Sequence, residues 1–342
     1  MEQEYKYMVC TRCMTYNHAP YIVDAMNGFT MQETTFPVFT LIVDDASTDG
    51  EPEVIKQYLA DHFQSPYRTE ETDDYYLICA NHNTNPNCNF IVFFLKYNHY
   101  SIKKSKLPYQ SEWRDAAKYI AYCEGDDYWI DSSKLQKQVD FLENHPDYSM
   151  CFHNAIEHWE NKLKKDRLFS NIQDKNYEGV EIFEHWIVPT ASVTIRSNVI
   201  NSHLYQKVRE SKLSRGDTPL FCTAASLGQI KGSPVIMSVY RRIGSGFTMK
   251  AKDYEWVRTF VRDTEQFPIL FGREYEKISK SLVSNTIFDF AIKALVHGQL
   301  SEVKNYLRLL RGSNPYYNMK GLVTSPFRLI YSKLNKYVCH FF

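Results

Sequence analysis

Phe39-Thr40-Leu41-Ile42-Val43-Asp44-Asp45-Ala46-Ser47-Thr48-Asp49-Gly50 is the stretch on which the fold class turns. Phe39 to Val43 is a short apolar run of strand type, and the acidic, turn-forming half that follows ends it. A helix is predicted from about Pro52 to Phe63. Upstream, Tyr7 to Met14 reads as a strand. Tyr21 to Met31 has helical spacing, with Ile22, Ala25, Met26 and Phe29 on one side. Downstream, Tyr75 to Ala80, Tyr119 to Cys123, Tyr148 to His153, Ala191 to Arg196 and Pro234 to Arg241 read as strands. Lys134 to Leu142 reads as a helix stopped by Asn144-His145-Pro146, and Leu220 to Leu227 as another. This alternation predicts an α/β domain with a largely parallel sheet. Residues 81–115 are irregular in type, and their apolar patch Phe90 to Leu95 fits a strand or part of a buried helix. From Tyr254 onward the pattern is almost wholly helical.

The chain has 342 residues, 44% hydrophobic and 23% charged, enough apolar surface to offset the entropy of ordering. Disorder as the main state is excluded. Forty basic residues balance forty acidic ones. A general nucleic-acid binder needs a basic excess to displace counterions, so no nucleic-acid partner is expected. The opening MEQEYKYMVC has two acids and no apolar core, which predicts no secretory leader. The eight cysteines then read as reduced, cytosolic thiols. Cys10 and Cys13 form a C-x-x-C, yet no second ligand pair follows at zinc-site spacing, so they read as small residues of a buried strand. No apolar run approaches the roughly 18–20 residues that span a bilayer.

Three acidic groups sit where strands end, the place where open α/β sheets bind ligands. Asp44 and Asp45 follow Val43; Glu124, Asp126 and Asp127 follow Cys123; Asp217 follows the polar stretch Ser211 to Gly216. Three acids within four residues repel one another unless they are solvated or share a cation, and Gly125 between them permits a close backbone approach. Residue chemistry alone leaves two readings open: a metal–phosphate site, or a solvated turn that caps the helix at Lys134.

Cys13-Met14-Thr15-Tyr16-Asn17-His18-Ala19-Pro20-Tyr21 resembles the opening strand and loop of the inverting family 2 glycosyltransferases. Val43 to Gly50 resembles their V-D-D-x-S-x-D segment, and Ile120 to Trp129 their Asp-x-Asp region. All three stand in the family's order, over roughly residues 7–250. The resemblance implies a GT-A (Rossmann-like) catalytic domain over 1–250. Its nucleotide-binding half would cover about 1–130 and its acceptor half about 131–250. A helical C-terminal extension over 251–342 would follow.

By the same resemblance, Thr15, Tyr16 and Asn17 line a nucleotide pocket and Asp45 accepts a hydrogen bond from the base. Glu124 stands at the first Asp of Asp-x-Asp and implies a ribose contact. Asp126 implies the ligand of Mn2+ or Mg2+, and Asp127 a role behind it or toward the donor sugar. Arg215-Gly216-Asp217-Thr218-Pro219 resembles the segment of the catalytic base, so Asp217 is the implied base; its rival reading is a helix cap. Val239 to Gly246 resembles the Tyr-Arg-x-His-Gly segment, with Ile243 where His is common and Arg241 or Arg242 left to meet the diphosphate. Thr190, Ala191 and Ser192 match a position near the acceptor. Trp129 and the rings of Tyr16 to Tyr21 offer stacking faces or core rings.

The implied activity is metal-dependent, inverting sugar transfer from a nucleotide sugar, most often a UDP-sugar. The acceptor would be a glycan or a lipid-linked molecule of surface polysaccharide or glycolipid synthesis. The rival is a nucleotide- or glycan-binding protein of this fold that has lost catalysis. A nucleotidyltransferase is disfavoured, because Cys13 to Pro20 lacks the glycines and lysine of a triphosphate loop. After Glu302 the chain holds seven basic residues and no acid, and its last segment carries Phe327, Ile330, Tyr331, Leu334, Tyr337, Val338 and Phe341 at helical spacing. That pattern reads as an amphipathic helix on an anionic membrane surface, or as a helix packed on protein. Together these features predict a cytoplasmic protein, and on the first of these two readings one that is peripheral on the inner face of the membrane.

Overall fold

A computed structural model describes residues 5–162, 164–243, 253–310 and 318–326. The chain opens as strand β1 (Tyr7–Thr15), helix α1 (Ile22–Thr30), β2 (Val38–Asp44) and α2 (Glu51–His62), as the apolar spacing predicts. Then come β3 (Arg68–Glu71), β4 (Tyr75–Asn81), β5 (Cys88–Leu95), α3 (Leu107–Arg114), β6 (Ala117–Tyr122), β7 (Tyr128–Trp129) and α4 (Lys134–Asn144). The next elements are β8 (Tyr148–Trp159), β9 (Arg167–Leu168), β10 (Lys175–Asn176), α5 (Gly179–Glu184), a 3-10 turn (Thr190–Ser192), β11 (Thr194–Arg196) and α6 (Ser197–Ile200). The described chain continues through α7 (His203–Glu210), α8 (Asp217–Leu227), β12 (Gln229–Arg242), α9 (Tyr254–Phe271), α10 (Glu276–Val296), α11 (Leu300–Arg308) and a helix over 318–326, α12.

All twelve described strands join one sheet, in the order β10-β12-β8-β11-β6-β1-β2-β5-β4-β3, with β7 on β12 and β9 on β8. Its centre, β6-β1-β2-β5, is parallel, and so is the β8-β12 pair. β5 settles the open reading of Phe90 to Leu95: it is a strand whose eight residues are all buried. Both of its faces are covered, so it carries no polar alternation to mark it as a strand. Ile22, Met26 and Phe29 of α1 pack with Ile42, Ile55, Phe90 and Trp129 in the main core. Each such side chain contributes about 1.5–3 kcal/mol by leaving water. The sequence reading missed β3. It is a four-residue edge strand of polar residues, tied by Arg68 to Glu70 and Glu112, the charged edge that discourages further strand pairing. The strand expected over Ala191 to Arg196 begins only at Thr194.

The residues fall into two compact units. The first takes the described residues within 1–182, 186–202 and 224–249 and holds the whole sheet. The second takes those within 183–185, 203–223 and 250–342. Asp217 is among its residues. In the second unit Val257 and Val261 of α9 pack with Val283, Ile287 and Ala291 of α10 and Tyr306 of α11. α9 starts at an Asp253 cap, whose carboxylate accepts from Trp256 N at 2.8 Å. α10 and α11 form the hairpin expected on either side of His297-Gly298, where Gly298 has φ +72°. Among the described residues no helix is long and apolar enough to cross a membrane. The basic amphipathic segment after Pro326 lies outside the described residues, apart from its approach through α12.

Candidate functional site

The parallel register aligns the carboxyl ends of β1, β2 and β6: Thr15 pairs with Asp44, and Arg12 with Tyr122. Three loops leave that edge, and backbone bonds continue the ladder into them. Asp45 N donates to Thr15 O (3.0 Å), Cys123 N to Arg12 O (3.1 Å) and Gly125 N to Met14 O (3.1 Å). The sheet thus brings Thr15, Tyr16, Asn17, Asp45, Glu124, Asp126 and Asp127 to one edge, although they lie up to 112 positions apart in the chain.

Gly125 is set by contact. A Cβ there would lie 2.2 Å from Thr15 Oγ1 and 2.6 Å from Thr15 Cβ. Only glycine lets the acidic loop press this closely on β1. Thr15 is buried beneath it and donates its hydroxyl proton to Glu51 Oε1. The other oxygen of Glu51 accepts from His18 N (2.8 Å) and Ser47 Oγ (2.8 Å). Asn17 has φ +57°, a left-handed conformation that Asn tolerates well. Its side chain accepts from Thr48 N at 2.8 Å and its own N–H donates to Ser47 Oγ at 2.9 Å. Tyr16 is 44% exposed and presents an open ring beside this turn, whereas Trp129 is a core ring that donates to Ala191 O at 2.7 Å. The 3-10 turn at Thr190–Ser192 is likewise scaffold: Ala191 and Ser192 are buried, and Ser192 O accepts from Gln138 at 2.9 Å.

Asp45 already has partners within the protein. Its side chain is 4% exposed and both oxygens are taken: Oδ1 by His99 N (2.8 Å), Oδ2 by Tyr100 N (3.1 Å) and Lys106 Nζ (2.7 Å). In this structure it holds the 98–106 loop rather than facing open space. Burial pushes neighbouring Asp44 up to about 6.

The acidic loop divides its labour. Asp127 is buried, and its Oδ1 accepts from Arg241 N on β12 at 2.8 Å. Burial, with Asp126 and Glu124 nearby, holds its carboxyl well above the usual range. Glu124 is half-buried. Asp126 is half-buried as well, and its Oδ2 faces His18 Nε2 at 3.9 Å. Arg241, a candidate for the diphosphate, is committed elsewhere. It pairs with Asp24 and Glu160, donates to Asp126 O at 2.8 Å and stacks on Tyr21 and Tyr128. Arg242 pairs with Glu157 at 2.6 Å, and Ile243 is buried.

His18 and Glu51 were given no role from the sequence, although His18 stood inside the first quoted motif. An acid at the first position of α2, four residues after Ser47, was the legible signal for Glu51. Asp217 opens α8 in the second unit, with its Oδ1 accepting from Thr218 N at 2.8 Å. Arg215 in the same unit stacks on Phe260.

No family model matches the chain. It is 31% identical over 234 residues to the uncharacterized proteins Mb1547 of Mycobacterium bovis and Rv1520 of Mycobacterium tuberculosis, a match over 68% of this chain. The chain spans 58% of the length of those relatives. Among solved structures it resembles S. aureus TarS 1–349 in complex with UDP-GlcNAc, with a TM-score of 0.55 and 15% identity over 89% of this chain and 79% of that one. TarS 1–349 solved without that ligand gives a TM-score of 0.52 at 14% identity, over the same shares. The likeness shows the fold: a mixed α/β chain with a large, mostly parallel central sheet and a helical C-terminal part.

Proposed function

We propose that the chain is a glycosyltransferase that moves a sugar from a nucleotide sugar, preferably a UDP-sugar, to a glycan or lipid-linked acceptor with inversion. The observation that carries the reading is the edge where Glu124-Gly125-Asp126-Asp127 is pressed against Thr15 and His18 at the ends of parallel β1 and β6. It is carried by a fold shared with TarS, which has been solved with UDP-GlcNAc. The half-exposed Asp126 carboxylate suits a hard divalent cation. When bound, such an ion offsets the charge that develops on a departing diphosphate.

The chain's own residues would share the remaining work. Tyr16 offers a stacking face to the base, and Thr15 and Asn17 hold the turn beneath it in shape. Glu124 is proposed to contact the ribose. Asp127 ties the acidic loop to β12, which keeps Asp126 from retreating. Asp217 is proposed as the base that takes the acceptor hydroxyl's proton while the new glycosidic bond forms and the bond to the diphosphate breaks. Surface polysaccharide or glycolipid synthesis at the cytoplasmic face of a membrane is the proposed setting, with 327–342 as the contacting segment.

Calorimetric titration of UDP, GDP, TDP and CMP, with Mn2+ and again with EDTA, tests the reading. One nucleotide is expected to bind with Mn2+ and to lose most affinity in Asp126→Ala. Asp217→Asn is expected to bind that nucleotide normally and to lose transfer by about 10²–10⁴-fold. Absence of binding by all four would end the proposal. A specific observation favours a second reading: Arg241 is locked in structural ion pairs and Ile243 is apolar, so a nucleotide-binding protein without catalysis has support. Slow metal-dependent hydrolysis of the matching donor would discard it.

A further inference from the structure

We propose that His18 is a metal ligand, contributing an imidazole nitrogen beside Asp126 to the divalent ion of this site. The inference rests on the glycosyltransferase reading and deepens it.

The argument is one of proton accounting. Thr15 has a single hydroxyl proton and gives it to Glu51 Oε1. Toward His18 Nδ1, 3.2 Å away, its oxygen can therefore only accept. Nδ1 then carries a ring proton, which leaves Nε2 as the nitrogen whose lone pair a cation can take. That lone pair faces Asp126 Oδ2 at 3.9 Å. Two acceptors converge there, too far apart to share a proton. A cation is the group that both can bind.

The surroundings fit that task. A hydroxyl that fixes the far nitrogen is the kind of outer partner that orients metal-bound histidines. Gly125 leaves this space to Thr15 and the His18 ring: a Cβ there would stand 3.2 Å from His18 Nδ1. The side chains of His18 and Asp126 are 18% and 22% exposed, open enough for an ion and a bridging phosphate. Adjacent ligands of an octahedral ion with bonds of about 2.1 Å lie about 3.0 Å apart, so a side-chain closure of about 1 Å completes the pair. An imidazole beside a carboxylate favours Mn2+ over Mg2+ or Ca2+.

The test is pulsed EPR on the full chain with MnCl2 and UDP. The wild type is expected to show modulation from an imidazole 14N, replaced by a 15N signature when the protein is made with 15N-histidine. His18→Asn is expected to lose that signal and to bind Mn2+ at least about tenfold more weakly, with Thr15→Val weakened by roughly 10–100-fold through loss of the orienting oxygen. Manganese bound with UDP but without imidazole modulation overturns the role of His18 and leaves the glycosyltransferase reading standing. Unchanged Mn2+ affinity in a folded His18→Asn overturns it too. A chain that binds none of UDP, GDP, TDP and CMP, with Mn2+ or with EDTA, brings down both.

Discussion

Gly125 shows how one missing side chain shapes the site. Its backbone lies where a Cβ would stand 2.2 Å from Thr15 Oγ1, closer than atoms tolerate. Gly125→Ala must displace Thr15, and with it the hydroxyl shared by Glu51 and His18. Overpacking of this kind costs about 1–3 kcal/mol. The variant is expected to melt several degrees lower and to lose metal-dependent nucleotide affinity. Ser47 and Asn17 do quieter work: they bond two loops from separate strands, so the turn after β2 and the turn after β1 move as one. From sequence Thr15 and Asn17 were assigned to the pocket itself. The structure places Thr15 behind His18, because its hydroxyl is already spoken for.

At the level of elements, α4 carries an unusual burden. Lys134 is fully buried, bonded to Gln138 at 2.7 Å and set 4.0 Å over the Trp129 ring. A cation–π contact contributes up to about 2 kcal/mol, against a burial cost of several kcal/mol for the charge. Burial wins, and the amine is pushed down to about 7 from 10.5. The sign follows: the folded state prefers the neutral amine, so stability is fullest above pH 10.5 and is lost as pH falls toward 7. Lys134→Met is expected to raise stability at pH 7 by about 1–4 kcal/mol, with the gain shrinking toward pH 10. Gln138 keeps a partner in Thr194 at 2.8 Å. A gain that grows with pH in parallel thermal melts would refute the account. The loop at 98–106 is the other element of consequence, since Asp45 holds it through two backbone amides and Lys106.

Across the whole molecule, the seven described cysteines are buried thiols outside any disulfide, and burial raises every one of them. They lie on strands, a loop and a helix from Cys10 to Cys222, so their protection reports folding as a whole. Ellman's reagent is expected to leave these seven unmodified in the native protein and to modify all eight cysteines in denaturant without a reductant. Early reaction of more than one thiol would contradict the burial. C-x-x-C at Cys10 and Cys13 is accordingly part of a buried strand, as its lack of partner ligands indicated.

The sequence by itself determined the alternation of strands and helices, because apolar spacing is set by the period of each element and is local. It also marked the acidic loops after β2 and β6, since turn residues must follow strands; Asp217, expected with them at a strand end, instead opens α8, which follows α7 in the chain. It left the type of Phe90 to Leu95 open, because a strand covered on both faces loses its alternation. It missed β3, whose four polar residues bury little and whose place depends on pairing with β4. Tertiary structure alone decided which motif residues are bonded within the protein. Asp45, Asp127 and Arg241 each have partners on distant strands and loops: both oxygens of Asp45, Oδ1 of Asp127 and the guanidinium of Arg241 are bonded within the protein. His18 gained its direction the same way, from a Thr15 proton already given to Glu51. Hydrogen-bond partners set by sheet register are long-range facts, and a linear pattern does not contain them.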